Sequence, residues 1–442
     1  MNNSLSRRDF LRQAAFAALA ASCCAPGFAR AQESDTLRHA AIGVGGQGGS
    51  DLEIITSHPF VKLVAVADVE ADRAARWKKE VPDLRVYTDW RELLDKEKEL
   101  DSINVATPDH MHAPVAMTAL QRGLHVYCQK PLTHDVYESR QLREFAAKTK
   151  LATQMGIQIH SSTEYRLAVR LIQDGAVGKI KEVHSFCNKK WGDPAPRPDR
   201  SDPVPAGFDW NLWLGVAAPR PFIGGGYYHP SNWRKRLDFG TGTFGDMGCH
   251  IYDPVFKALE LTAPLSLLST GPKPGPWNWP IDAKIEYLFP GTAFTAGKSV
   301  KVTWYDGDQR PPREVEALIG GSPMPGCGSV FIGEKGVVLL PHIGRPQLLP
   351  HEQFKDYPVP KVSAINHYTQ FLEAARGNGR CSASVAYGGP LTETVLLGGV
   401  ATRFPNTTLL WNAAKLKFTN ESKANEYIKR PYRDGWRVKG LA

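Results

Sequence analysis

A carboxylate and an imidazole stand four residues apart in the second half of the chain. Asp246 and His250 lie in a segment, residues 244–259, whose pattern predicts a helix. Residues four apart share one face of a helix, so the carboxylate could orient the imidazole and stabilise its cation. An imidazole held in this way can take a proton from a hydroxyl group. The same spacing is also common on helix surfaces, so the surrounding elements have to decide between the two interpretations.

A glycine-rich turn near the start of the chain predicts a nucleotide site. Residues 36–44, with the apolar run 40–42 inside them, indicate a strand, which is followed by glycines in G-x-G-x-x-G spacing and by the helix-like segment 51–55. In that context the first glycine permits a tight turn, the second lets the backbone approach a pyrophosphate, and the third lets the helix pack against the strand. The residues of this turn that we expect to bind a dinucleotide are Gly43, Gly45, Gly46, Gln47 and Gly48.

The end of the second predicted strand indicates which dinucleotide binds. Residues 62–68 are mostly apolar and end at Asp68. A carboxylate there can accept hydrogen bonds from the adenosine ribose hydroxyls and would repel a 2′-phosphate, which favours NAD over NADP. Arg73 and Arg76 follow closely and keep NADP as the alternative.

The alternation of apolar strands and helix-like segments continues to residue 156. It predicts an α/β protein with a doubly wound parallel sheet in an N-terminal Rossmann domain at 36–156. Ligands bind at the carboxyl ends of such strands. The polar residues at or just past those ends are Asp109, His110, His112, Lys130, Gln158 and His160. The first two histidines could instead cap the next helix, and they lack the convergent partners that a metal site needs, so we predict no metal.

Several motifs along the chain resemble the Gfo/Idh/MocA family, which takes its name from glucose–fructose oxidoreductase and inositol dehydrogenase. The resembling stretches are 41–49, 106–113 (ATPDHMHA), 126–133 (VYCQKPLT) and 245–253 (GDMGCHIYD). The resemblance implies an NAD(P)-dependent oxidoreductase whose C-terminal α/β domain, at 157–442, is built on a large, mostly antiparallel sheet. Because that sheet often forms a subunit interface in the family, we expect a homo-oligomer. The further cofactor contacts that it implies are Thr107, Pro108, His110, His112, Gln129, Lys130 and Pro131.

By the same resemblance, Lys130, Asp246 and His250 form the catalytic set of a hydride transfer. We assign His250 as general base, Lys130 as the group that hydrogen-bonds the reacting oxygen and Asp246 as the residue that orients the imidazole. The roles of the lysine and the histidine could be exchanged. The family's usual Glu-Lys-Pro is Gln129-Lys130-Pro131 here. The glutamine puts in doubt any role that needs a negative charge beside the cofactor.

Aromatic side chains before the catalytic helix predict a sugar-like substrate. Sugars present apolar C–H faces that stack on aromatic rings, while polar groups fix their hydroxyls. Residues 192–240 are rich in Pro, Gly and Trp and indicate a long ordered loop over the site. Any one of these rings could instead build the core. The substrate contacts that we predict are Gln158, His160, Trp191, Tyr228, His229, Trp233 and Arg234.

Residues 1–31 resemble a twin-arginine export signal. Arg7 and Arg8 stand in the sequence Ser-Arg-Arg-Asp-Phe-Leu, before a short apolar stretch and a small-x-small cleavage site that ends at Ala31. We therefore expect export by the twin-arginine translocase to the periplasm or another extracytoplasmic compartment. Lipid attachment at Cys23 is the alternative to cleavage after Ala31. This route carries folded proteins, which suits a protein that takes up its cofactor in the cytoplasm.

Composition bounds the remaining possibilities. The 442 residues, 42% of them hydrophobic, are enough for two domains and a targeting segment. The net charge is +9, but the lysines and arginines are dispersed, which argues against a nucleic-acid partner. Outside the leader the cysteines are odd in number and form no C-x-x-C pair, so we expect buried free thiols. They are Cys128, Cys187, Cys249, Cys327 and Cys381.

Three functions fit these features. The first is an exported oxidoreductase that acts on a hydroxyl of a sugar, glycoside or polyol and keeps its cofactor tightly bound, because free NAD is scarce outside the cytoplasm. The second is an NAD-dependent glycoside hydrolase that uses transient oxidation and elimination and needs no pair of catalytic carboxylates. The third is a non-catalytic sugar-binding protein, and the presence of Lys130, Asp246 and His250 argues against it.

Overall fold

Six parallel strands form the first sheet of the computed structural model, which describes residues 36–442. They are β1 (Leu37–Ile42), β2 (Val61–Ala67), β3 (Arg85–Tyr87), β4 (Ser102–Val105), β5 (His125–Gln129) and β6 (Thr153–Gly156). Their spatial order is β3-β2-β1-β4-β5-β6, so the chain runs from the centre to one edge and then returns to build the other half. This confirms the predicted doubly wound sheet. The direction reverses between β1 and β4, whose carboxyl ends flank a crevice where ligands bind in such folds.

Helices cover both faces of this sheet, which explains why its strands are apolar on both sides. The helices that connect successive strands are α1 (Gln47–Thr56), α2 (Ala71–Glu80), α3 (Trp90–Lys96), α4 (His112–Gln121) and α5 (Val136–Ala146). Four successive residues of β2, from Val64 to Ala67, are all buried. Asp135 begins α5 with a capping box, in which its side chain accepts from the Glu138 backbone N–H and Glu138 reciprocates.

Nine strands form the second sheet. They are β7 (Ile180–Cys187), β8 (Ser266–Ser269), β9 (Lys284–Pro290), β10 (Ser299–Asp306), β11 (Cys327–Gly333), β12 (Val337–Pro341), β13 (Gln347–Leu349), β14 (Thr408–Asn412) and β15 (Lys417–Phe418). The spatial order is β13-β12-β11-β7-β10-β9-β8-β14-β15. Only the pairing of β7 with β10 is parallel among these strands. The predicted mostly antiparallel sheet is confirmed.

The remaining helices connect or flank the two sheets. They are α6 (Thr163–Gln173), α7 (Trp210–Leu214), α8 (Gly242–Leu259), α9 (Arg313–Leu318), α10 (His351–Phe354), α11 (His367–Ala375) and α12 (Val385–Ala401). Two of them pack on the first sheet and its helices: Tyr368 of α11 stacks on Tyr127 at 5.4 Å, and Glu393 of α12 pairs with Arg140 of α5 at 2.7 Å. None of the helices in the described part of the chain has the length and apolar character needed to span a membrane.

A disulfide corrects the expectation that all five cysteines are free. Cys187 and Cys327 are bonded to each other, while Cys128, Cys249 and Cys381 are free thiols. Cys187 is the last residue of β7 and Cys327 is the first residue of β11. The two strands are antiparallel neighbours, and their register places the two cysteines directly opposite each other. Sequence spacing cannot reveal this pair, because 140 residues separate the cysteines and the pairing of the two strands alone brings them together.

Candidate functional site

A cleft of about 580 Å³ runs along the carboxyl ends of the first sheet's strands. One end is lined by the glycine turn between β1 and α1, and the other by the end of β5 and the first turns of α8. The predicted cofactor contacts that line it are Gly43, Gly45, Gly46, Gln47, Gly48, Asp68, Thr107, Pro108, His112, Gln129 and Lys130. The structure therefore brings together most of the nucleotide site predicted from sequence.

The glycine turn is shaped so that side chains would obstruct it. Gly43 has a φ of +79°, and a Cβ there would lie 2.7 Å from the Ala106 carbonyl oxygen. A Cβ on Gly48 would lie 2.1 Å from the Gly43 carbonyl oxygen, so α1 can pack this close to β1 only with glycine. The turn thus presents bare backbone at the N-terminus of α1, which favours the phosphates of a dinucleotide.

Asp68 lies at the end of β2, beside the glycine turn. Its carboxylate accepts the backbone N–H of Val44 at 2.9 Å and that of Glu70 at 3.0 Å, which fixes it at the mouth of the turn. Carboxylate oxygens have further lone pairs for ribose hydroxyls. The Arg73 guanidinium lies over Gly45, close to where a Cβ on that residue would be. Both the carboxylate that we expect to favour NAD and the competing arginine are therefore at this end of the cleft, which we call the nucleotide end.

Residues 192–240, which we call the strap, close over this end of the cleft. Backbone hydrogen bonds join the strap to the chain after β2: the Ala71 N–H donates to the Gly207 carbonyl oxygen, and the Asp209 N–H donates to that of Val69. The imidazole of His229 lies 2.9 Å from the Glu70 carboxylate. The predicted loop over the site is thus fastened to the first sheet on the side where the nucleotide would lie.

An ion-pair cluster occupies the other end of the cleft. Lys130 Nζ lies 2.6 Å from Asp246 Oδ1 and donates to the Asp246 carbonyl oxygen at 2.9 Å. Arg234 Nε also donates to Asp246 Oδ1, at 3.2 Å, and Lys189 Nζ lies 4.0 Å from Oδ2. Burial alone would raise the pKa of Asp246, but Lys130, Arg234 and Lys189 outweigh it and hold that pKa well below the usual range. Three cations around one carboxylate leave this end positively charged.

His250 faces the same end of the cleft from α8, but it is not the partner of Asp246 that the sequence led us to expect. Its Nδ1 is buried and makes no hydrogen bond within the described residues, because the carboxylate is directed to Lys130 and Arg234. Burial lowers the pKa of His250 well below its ordinary value, and the charge of Lys130 lowers it further. The imidazole is therefore neutral near pH 7. The ring of His342 lies 5.3 Å from it.

Two histidines predicted to contact the cofactor have structural partners. His112 lines the cleft, and its ring nitrogens lie 2.6 Å from the Pro131 carbonyl oxygen and 2.7 Å from that of Thr107. It thereby fixes the turn that carries Lys130, whose bond to Pro131 is cis. His110 and Pro131 do not line the cleft. His110 is buried, and its Nε2 bonds to the Trp213 carbonyl oxygen.

The predicted substrate residues divide into two groups. Trp191, His229, Trp233, Arg234 and Gln158 line the cleft. The Arg234 guanidinium lies 4.2 Å from the Trp233 ring centroid and 5.5 Å from that of Trp191, which holds the three side chains together. Trp191 Nε1 is buried without a hydrogen-bond partner among the described residues, so it can donate to a ligand.

Tyr228 and His160 lie outside the cleft. Tyr228 is 1% exposed and packs edge-on against Phe239 in the apolar interior of the strap. His160 is buried beside Asp253, with Nδ1 2.9 Å from the carboxylate. Tyr228 packs in the hydrophobic core around Trp213, and His160 hydrogen-bonds to the buried Asp253 carboxylate, so both side chains have structural contacts here.

Three cleft or near-cleft residues were missed by sequence reasoning: Lys189, His342 and Asp51. Lys189 comes two residues after β7, and His342 directly follows β12, so each enters the site from a strand of the second sheet. Nothing in their sequence neighbourhood marks them. Asp51 had a signal, since it is a charged residue at a fully buried position of α1.

Comparison with known proteins agrees with this geometry. A family model described as Gfo/Idh/MocA, "Oxidoreductase family, NAD-binding Rossmann fold", matches residues 37–157. Residues 37–157 therefore match the NAD-binding Rossmann domain of this family. It is 24% identical over 215 residues to levoglucosan dehydrogenase of Pseudarthrobacter phenanthrenivorans, a match that covers 48% of this chain and 46% of that protein. It is 32% identical over 207 residues to a glycosyl hydrolase family 109 protein of Saccharopolyspora erythraea, covering 40% of this chain and 45% of that protein.

The match to these two relatives spans just under half the length of each. Solved structures resemble the chain over a longer stretch. The WlbA dehydrogenase of Bordetella pertussis, solved in complex with NADH and UDP-GlcNAcA, superposes with a TM-score of 0.60 at 14% identity, covering 86% of this chain and 99% of that one. Likeness at this identity shows a shared fold, and the fold that is shared extends beyond the Rossmann sheet.

Proposed function

We propose that the protein is an NAD-dependent oxidoreductase that acts on a hydroxyl group of a sugar, glycoside or polyol. The observation that carries this proposal is the meeting of a neutral His250 with the Lys130–Asp246 pair at one end of a cleft that starts at the glycine turn. Bound NAD would supply the hydride acceptor for such an oxidation. The residues that fit it are the bare glycine turn, Asp68 and the strand ends at Thr107 and Gln129.

The chain's own groups supply the rest of the chemistry. His250 takes the hydroxyl proton, because its imidazole lines the cleft and is neutral near pH 7. Lys130, fixed by Asp246, donates a hydrogen bond to the same oxygen and stabilises the negative charge that develops there. Lys189 and Arg234 add to the positive field. The structure supports this assignment of the two roles over the exchanged one, since the lysine is held as half of an ion pair.

The proposed substrate class follows from the residues that line the end of the cleft with the Lys130–Asp246 pair, which we call the reaction end. Indole rings of Trp191 and Trp233 offer stacking surfaces for the C–H face of a sugar ring. Thr107 and His342 line the cleft, and Thr107 Oγ1, His342 Nδ1 and Trp191 Nε1 are buried without hydrogen-bond partners within residues 36–442. Buried polar atoms of this kind are normally satisfied, so a polyhydroxylated ligand would complete them. The likeness to levoglucosan dehydrogenase points in the same direction.

The proposal includes NAD rather than NADP, held tightly. Asp68 would repel a 2′-phosphate at the adenosine end. The strap is joined to the chain after β2 by backbone hydrogen bonds and by His229, so release of a nucleotide would require these contacts to open. Retention would suit an enzyme that works where free NAD is scarce.

We also propose that the protein works outside the cytoplasm, as a homo-oligomer. The export signal in residues 1–31 and the lipidation alternative at Cys23 lie outside the described residues. The Cys187–Cys327 disulfide supports export, because disulfides persist in oxidising compartments and are rare in the cytosol. Oligomerisation rests on the family resemblance alone.

A second candidate function is redox-neutral cleavage of a glycoside, which the likeness to a glycosyl hydrolase family 109 protein favours. Oxidation of a ring hydroxyl to a ketone acidifies the neighbouring C–H. Loss of that proton expels the aglycone as an alcohol and leaves an unsaturated ketone. Addition of water and return of the hydride and a proton then give the free sugar, so that nothing is oxidised overall.

The test begins with protein purified without added cofactor. An absorbance band of co-purifying NAD(H), followed by oxidation of free sugars or polyols with an added electron acceptor, would support the dehydrogenase. Nitrophenol release from nitrophenyl glycosides without added NAD would support glycoside cleavage. Lys130→Ala protein is the matched control and should retain NAD(H) but lose either activity. Failure of the wild-type protein to bind any nicotinamide dinucleotide would overturn the proposal.

A further inference from the structure

Asp51 is a fully buried carboxylate directly behind the wall of the cleft. It lies on the first helix, and its side chain is 0% exposed. Four neutral donors surround it, each from a different part of the chain: Gln129 Nε2 at 2.6 Å, Gln47 Nε2 at 2.8 Å, Tyr368 Oη at 2.8 Å and Gln158 Nε2 at 3.4 Å. The residue is thus the centre of a polar network rather than a packing defect.

No cationic side chain in the described part of the chain is paired with this carboxylate. Asp51 forms no ion pair there, whereas Asp246 at the reaction end has three cations around it. Burial raises the pKa of Asp51, and the hydrogen bonds from Gln129, Gln47, Tyr368 and Gln158 oppose that rise. A buried carboxylate is normally paired with a positive group. The Asp51 carboxylate therefore has four hydrogen-bond donors but no positively charged partner among the described residues.

The glutamines connect this centre to the cleft. Gln47, Gln129 and Gln158 all line the cleft, while Asp51 and Tyr368 do not. A carboxylate only accepts hydrogen bonds, so it fixes which way each amide is turned, with the nitrogen towards Asp51. Gln129 directly precedes Lys130, so the carboxylate lies one side chain away from the reaction end.

We propose that Asp51 is a positioning residue that makes the site favour the oxidised over the reduced nicotinamide ring. This inference rests on the proposed function, in which that ring lies at the reaction end beside Gln129 and Lys130. The oxidised ring carries a positive charge and the reduced ring carries none. A buried negative charge one side chain away therefore lowers the free energy of the oxidised form selectively. The charge acts through Gln129, Gln47 and Gln158, and Asp51 itself touches neither cofactor nor substrate.

This preference would favour one direction of the reaction, the transfer of hydride from the reduced ring to a bound carbonyl. A site that favours the oxidised ring releases a stored hydride more readily, which assists its return to a bound carbonyl. Such a bias would serve a protein that retains its cofactor and must regenerate the oxidised form within the same site.

The test compares the affinities of stripped protein for NAD⁺ and NADH, by calorimetry and by NADH fluorescence. We expect Asp51→Asn to weaken NAD⁺ binding about tenfold and to leave NADH binding within about twofold. For this two-electron couple a tenfold change corresponds to a rise of about 30 mV in the potential of the bound pair. Tyr368→Phe is the matched control, because it removes a neutral donor and keeps the charge. It should leave the affinity ratio unchanged.

A charge transposition sharpens the test. In Asp51→Asn/Gln129→Glu protein the carboxylate moves to the other end of the same 2.6 Å hydrogen bond, and the affinity ratio should return towards the wild-type value. Asp51→Ser serves as a second charge-free variant if the asparagine protein fails to fold. Equal effects on NAD⁺ and NADH, or no effect on either, would overturn this inference while leaving the proposed function intact. Loss of both affinities in the wild-type protein would instead overturn the proposed function.

Discussion

The two ends of the cleft are built in opposite ways. At the nucleotide end, the glycine turn and Asp68 come from successive strand–helix connections of one sheet. At the reaction end, Lys130 comes from the first sheet, Lys189 and His342 come from the second, and Asp246 comes from α8. One end is therefore a local motif, and the other exists only after distant segments have packed together.

The two ends also differ in charge. The nucleotide end presents a carboxylate and bare backbone N–H groups, which select a nucleotide by shape and hydrogen bonding. The reaction end surrounds one carboxylate with three cations and leaves polar atoms without partners. Under the proposed function, the first end binds the cofactor and the second carries out the reaction, so changes at one end should affect one property and spare the other.

The largest expected effect is a loss of kcat, without a loss of NAD⁺ affinity, from a change at the reaction end. Lys130→Ala should lower kcat by about 10²–10⁴-fold, because it removes the donor that stabilises the reacting oxygen. The affinity for NAD⁺, measured by calorimetry, should change by less than about threefold. Lys189→Ala is the comparison, since its Nζ lies 4.0 Å from the Asp246 carboxylate. It should lose less than about tenfold, and an equal loss in the two variants would argue against a specific role for Lys130.

The next effect tests whether the second sheet supports the reaction end. A Cys187→Ser/Cys327→Ser variant should lose about 2–4 kcal/mol of unfolding free energy in urea, because 140 residues separate the bonded pair. Lys189 and Trp191 lie two and four residues after Cys187, and the His342 N–H donates to the Cys327 carbonyl oxygen. We therefore expect KM for the sugar to rise while NAD⁺ affinity holds. Cys381→Ser, at a free thiol, should change neither.

The comparison also explains what sequence could predict. The glycine spacing, the position of Asp68 and the alternation of strands and helices are local signals, and the first sheet and nucleotide turn matched them. The antiparallel character of the second sheet came from the family resemblance, and the structure agrees. Its edge strands, such as β13 and β15, were not predicted, because segments of three and two residues carry too little pattern.

Predictions from sequence were less accurate where tertiary packing determines which side chains are in contact. The i, i+4 spacing of Asp246 and His250 is real, but two nearby cations from other segments, Lys130 and Arg234, direct the carboxylate away from the imidazole. The same limit applies to the Cys187–Cys327 bond, which depends on the alignment of two strands. A residue type and a helical spacing can place two side chains on one face, but they do not identify which partner each one meets.

A smaller effect, on NAD⁺ affinity, is expected from a change at the nucleotide end. Gly48→Ala puts a Cβ 2.1 Å from the Gly43 carbonyl oxygen, so α1 must move away from the turn. We expect NAD⁺ affinity to fall about tenfold or more, equivalent to about 1.4 kcal/mol, as the phosphate cradle opens. Gly275→Ala is the matched control, since no atom lies within 4 Å of its added Cβ. Unchanged NAD⁺ binding in the Gly48 variant would show that the turn does not hold the phosphates.

The smallest effect concerns the pH dependence of the reaction end. The proposed base acts only when neutral, so activity should fall as the pH drops through the pKa of His250 in the folded protein. Burial lowers that pKa well below 6.5, and Lys130 and His342 lower it further, with Asp246 opposing them. The kcat/KM profile should therefore stay flat as the pH falls past 6.5 and decline only in more acid solution. His342→Ala removes a neighbouring ring and admits water, so its acid limb should move upwards towards 6.5. An acid limb at the same pH in both proteins would show that a group other than His250 controls the pH profile. Lys130 would then again be a candidate for the general base.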